Sequence, residues 1–114
     1  MAEPISIRPQ LGTWVVRAGG AVLGETSNAL LLSEANHPDV LYFPRGDLAM
    51  AFLEPSDKRS KHPEIGEATH YSIVTKSQTI KNVAMSYESP TGAAAAIAGH
   101  VTFCPSDLVT VEQL

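Results

Sequence analysis

The sequence predicts an all-β protein, and three observations carry that prediction. Eight or nine short runs of β-branched, aromatic and aliphatic residues are spread along its 114 residues. Turn signals of Gly, Pro, Asn, Asp and Ser separate them about every 8–12 residues, the pattern of a sandwich, a barrel or folded-over sheets. Helical character is confined to Ala93–Ala96, inside residues 92–98, with Thr91 near its cap and Gly99 as its stop.

Taken in order, residues 1–12 carry Pro4, Pro9 and Gly12 with little periodicity and read as an arm; 13–114 form the domain. Thr13–Ala18 and Ala21–Thr26 read as a hairpin, because Gly19-Gly20 supplies the positive φ of a primed turn. Ala29–Ser33 and Val40–Phe43 read as short strands around a loop, 35–39. Leu48–Leu53 holds helix-forming Ala and Met but has strand length, and is assigned as a strand. Glu54–Glu67 reads as a long polar loop, a feature often functional in a compact domain. Ala68–Thr75 and Thr79–Tyr87 form a second hairpin turned at 76–78. Val101–Cys104 and Val109–Val111 complete the set, separated by Pro105-Ser106.

Composition excludes several functions. A net charge of −4 argues against nucleic-acid binding, which wants a basic stripe. No apolar run is long enough to span a membrane. The single Cys104 rules out an internal disulfide and a multi-cysteine zinc site, and it points to a reducing, cytoplasmic compartment. The start, MAEPISIRPQ, lacks the apolar stretch of a signal peptide. His37, His62, His70 and His100 lack metal-ligand spacing, so neither a metal nor a cofactor is expected. Phosphate-cradling glycine loops and the nucleophile-elbow motif are absent from the sequence.

The segments YFPRGD (42–47), LEPSD (53–57), SKHPEIG (60–66), SY (86–87) and IAGHVTF (97–103) resemble the ordered motifs of a small bacterial family, domain of unknown function 427. Ser27, Ala29, Leu30 and Glu34 fit its pattern too, and the likeness covers roughly residues 13–112. That family carries a nucleotidyltransferase-like label. The resemblance implies a β-tent-like fold, as in methionine sulfoxide reductase B, the Yippee proteins and the thalidomide-binding domain of cereblon. Two antiparallel sheets would then fold over each other with a pocket between them. The chain departs from the family where His62 replaces a Cys and Ile65 a Lys, so a thiol-dependent role cannot run at position 62.

Candidate residues follow from these readings. Arg45 and Asp47, alternate residues after the aromatic pair Tyr42-Phe43, would either orient an anionic ligand or close a bent strand as a salt bridge. Lys58, Arg59 and Lys61 read as a solvated run. His62 is the candidate general base, since imidazole titrates near neutrality. His70 and Tyr71, on opposite strand faces, would put one side chain inward. The hydroxyls of Ser86 and Tyr87 would line a pocket mouth or cap a turn. Cys104, in an apolar run, is expected to be inert, and Trp14 to be core. The resulting expectation is a small-molecule pocket, with anions among the ligand classes Arg45 would suit, lined by Tyr42, Arg45, Asp47, Ser86 and Tyr87 and served by His62. The alternative is a peptide or protein interaction module using the same concavity.

Overall fold

A computed structural model describes residues 5–34, 37–63, 65–76, 78–104 and 106–114. Among these residues ten strands build two antiparallel sheets. They are β1 (Ser6–Pro9), β2 (Trp14–Ala18), β3 (Ala21–Thr26), β4 (Leu30–Ser33), β5 (Val40–Pro44), β6 (Leu53–His62), β7 (Gly66–Val74), β8 (Thr79–Tyr87), β9 (His100–Phe103) and β10 (Val109–Gln113). The larger sheet runs β1-β4-β5-β9-β8-β7-β6 and the smaller β10-β2-β3. The class is therefore all-β, as the turn spacing predicts. β1 lies within the stretch read as an arm and pairs along β4, Ser6 opposite Ser33 and Pro9 opposite Leu30. The first four residues of that arm lie outside the described residues. So do parts of the expected turns, at positions 35–36, 77 and 105, and position 64 of the expected loop.

The predicted β2–β3 hairpin forms, with Gly19 and Gly20 at φ 55° and 86°. These values are open to glycine without steric cost. Val16, Ala18 and Leu23 of the small sheet meet Phe43, Leu53, Ile73, Ala84 and Val101 of the large one in a first core. Trp14 packs against this core but is only half-buried. A second core joins Leu32, Tyr42, Ala68 and Tyr87 to Ile65 and to Ala94 and Ile97 of the 3-10 segment Gly92–Ile97. Neighbours Tyr42 and Phe43 serve different cores, as strand alternation requires. Each fully buried Phe or Leu side chain contributes about 1.5–3 kcal/mol.

Four local expectations are corrected. Leu48–Leu53 is not a strand: Met50–Phe52 forms a 3-10 turn, and the strand starts at Leu53. Glu54–Glu67 is not a loop. Most of it is β6, the edge of the large sheet, where all but Leu53, Ser56 and His62 are exposed. An edge strand with both faces in water shows no alternation, so its polarity mimics a loop; charges on such an edge also block pairing with other chains. Arg45–Asp47 is a 3-10 turn rather than strand, which removes the premise that the two side chains share a strand face. His70 and Tyr71 are both buried, because each face of β7 is covered. At the helical patch, Thr91 is the N-cap by position but makes no side-chain cap; its hydroxyl donates to the Ile65 carbonyl.

Bulges distort the β6-β7-β8 end of the sheet. Pro55 pairs with Tyr71 and Arg59 with Thr69, so Ser56, Asp57 and Lys58 stand opposite His70 alone. In β8, Lys81, Asn82 and Val83 similarly oppose Ser72, with Asn82 at φ 56°. Ser56 Oγ donates to Asn82 Oδ1 at 2.6 Å, tying the two bulges together.

Candidate functional site

A largely apolar cleft opens inside the large sheet. Among the described residues, β5 and β9 pair only at Phe43–Val101 and Pro44–His100, although β5 begins at Val40 and β9 continues to Phe103. Beyond Phe43 the strands part. Each lip keeps its outer neighbour: Leu41 and Tyr42 stay paired with β4, Thr102 and Phe103 with β8. The result is a cleft of about 440 Å³, within the range of small-molecule sites. Phe43 and Phe103 meet edge to face at its inner end, centroids 5.8 Å apart.

Its walls are mainly apolar or aromatic: Leu32, Val40, Leu41, Tyr42, Phe43, Ile65, Met85, Tyr87 and Phe103, with Val111 from the small sheet. The pocket implied between the sheets is thus corrected. Val111 is the one lining residue, among those described, that the small sheet contributes. His37, Pro38 and Asp39 stand exposed at the mouth. Within it, Glu34 Oε1 lies 3.0 Å from His62 Nε2. β6 brings His62 here, and the tight turn after it sends Ile65 into the second core. A carboxylate holding an imidazole is an arrangement that orients the ring and suits it to carry protons.

Burial pushes the Tyr42 phenol well above its usual pKa, with the neighbouring Tyr87, Cys104 and Glu34 acting the same way. Burial, then Glu34, raises Tyr87. Both phenols therefore stay protonated and able to donate a hydrogen bond. Cys104 follows β9 and lines the cleft. Burial raises its thiol pKa against an opposing effect of Lys58.

The predicted site residues divide. Tyr42, Tyr87 and His62 line the cleft; Arg45, Asp47 and Ser86 lie outside it. Arg45 Nη2 donates to Glu88 Oε1 at 2.7 Å and to Ser86 Oγ at 3.1 Å, while its carbon end lies 6.0 Å from the centre of the Tyr71 ring. The Glu88 hydrogen bond raises its pKa. Tyr71 donates to the same Glu88 oxygen. Ser86, fully buried, donates to the His100 carbonyl at 2.7 Å. Asp47 accepts from Thr26 Oγ1 at 2.7 Å. These three residues bind strands and turns to one another. Sequence reasoning missed Glu34, Ile65, Met85 and Phe103 as lining residues. The spacing of Met85 and Tyr87 signals a shared strand face, but nothing local pairs Glu34 with a histidine 28 residues away.

A second hollow beside the bulges is lined by Glu54, Ser56, Asp57, Lys81 and Asn82 among others, and is polar throughout most of its wall. Among the described residues no group of three or more His, Cys, Asp or Glu side chains is placed to hold a metal ion. No helix among them is long and apolar enough to cross a membrane.

The structure defines an all-β protein of two antiparallel sheets, with a cleft where the larger one opens. The chain belongs to the family described as Domain of unknown function (DUF427), whose family model matches residues 6–113. No curated protein matches it.

Proposed function

We propose that the protein binds a small, largely apolar molecule in the cleft between β5 and β9. The observation that carries this reading is the parting of two strands that are each held from outside, which leaves about 440 Å³ walled by aliphatic and aromatic side chains. Its polar lining residues are Glu34, His62, Thr102, Cys104 and the two tyrosines, with His37 and Asp39 at the mouth. That mixture, mostly apolar with a few placed polar groups, is what orients a ligand in a preformed site. Arg45, already held by Glu88 and Ser86, is not part of this reading.

Native mass spectrometry of freshly purified protein tests it, followed by thermal shift against a metabolite collection. A ligand at 100 times its Kd stabilises the fold by about 2.7 kcal/mol. Met85→Trp, which fills the cleft, is expected to abolish binding; Arg45→Ala is expected to leave it intact. Because Cys104 lines the cleft, an occupant should also slow its alkylation by iodoacetamide. If no small molecule binds or protects Cys104, and Met85→Trp instead releases a protein partner, the cleft serves as an interaction module.

A further inference from the structure

We infer that the ligand of this cleft is an organic cation, an amine or quaternary ammonium carried on an aromatic or aliphatic body. This rests on the cleft being the binding site, and it reverses the anionic class that Arg45 suggested from sequence.

The charges decide the sign. Glu34 and Asp39 line the cleft, and no Lys or Arg is among the lining residues described. The Glu34 side chain is only 15% exposed, so its charge is less screened than one in open water. Its field reaches the walls, since Glu34 acts on both Tyr42 and Tyr87. Lys58 acts at Cys104 against the effect of burial, but stands outside the lining. The cation that the sequence offered as a ligand anchor, Arg45, is turned to Glu88.

The walls suit the same ligand. Tyr42, Tyr87 and Phe103 supply aromatic surface, which attracts an ammonium through its ring faces. A carboxylate can accept several donors, so Glu34 can hold His62 and a ligand N–H together. An anion would meet two carboxylates here, and the chain's net charge of −4 would disfavour its approach.

The test uses three probes with one body: 3-phenylpropylammonium, 3-phenylpropanol and 3-phenylpropionate. Calorimetry at about pH 8 keeps the probe ammonium charged and the probe carboxylate ionised. The ammonium is expected to bind about tenfold or more tighter than the alcohol, with the carboxylate weakest, and added salt should narrow the gap. Glu34→Gln should bring the ammonium to within about threefold of the alcohol. Asp39→Asn, at the exposed mouth, gives a smaller loss in the same direction and serves if Glu34→Gln fails to fold. Equal binding of the three probes, or preference for the carboxylate, overturns the inference and leaves the cleft reading standing. An ammonium preference untouched by either variant overturns it also. If none of the three binds and Cys104 alkylation is unchanged by all of them, the cleft reading itself falls.

Discussion

Ser86 ties three elements together. Its hydroxyl is fully buried, gives its proton to the His100 carbonyl and accepts from Arg45. It thus joins β8, β9 and the turn after β5. Removing it strands a carbonyl and a guanidinium donor. Ser86→Ala is expected to cost about 1–3 kcal/mol in urea unfolding and to leave cleft occupancy unchanged. His70 makes a second prediction at this scale. It is 5% exposed, with Nε2 hydrogen-bonded to Ser60 and Nδ1 lacking a partner among the described residues. Burial first, then Lys58 and Arg59, lowers its pKa below the ordinary 6.5. Below that pH the unfolded chain takes up a proton that the folded one resists. The contribution to stability is complete above the unfolded value and declines as pH falls toward the folded pKa. The urea midpoint should therefore drop between neutral and mildly acidic pH, and His70→Gln should flatten that part of the drop.

At the scale of elements, the segment after β5 is held by backbone rather than by the ion pair read between Arg45 and Asp47. Gly24 of β3 bridges Leu48, and a Cβ at Gly24 would come 2.5 Å from the Asp47 carbonyl oxygen. That atom is backbone and cannot swing aside. Gly24→Ala is expected to lose about 1–3 kcal/mol, seen as a melting temperature lower by several degrees. The hairpins were legible because their turns and alternation are local: Gly19-Gly20 specifies its turn wherever it occurs. β6 was not legible. Its exposed Lys58, Arg59 and Lys61 read as a solvated loop, and they are solvated, but in a strand.

For the whole molecule, the cleft depends on how far β5 and β9 stay paired, and those strands lie more than fifty residues apart in the chain. Their outer partners hold them at the lips, so the opening survives where a lone pair of strands would close. The same assembly brings Glu34 to His62 and takes Arg45 away to Glu88. Under the proposed binding role, opening and charge together would set what the cleft admits, and the three probes read both.

The sequence by itself determined the all-β class, the two hairpins, the family likeness and three of the cleft residues, Tyr42, His62 and Tyr87. Each rests on information contained in a short stretch: alternation, turn chemistry or an ordered motif. Only the tertiary structure decided that Arg45, Asp47 and Ser86 hydrogen-bond across strands and turns, that β6 is an edge strand and that the cleft is largely apolar with two carboxylates in its lining. The reason is physical. Where a side chain points locally depends on its own strand, but which charge it meets depends on strands brought beside it by the closure of the sheet.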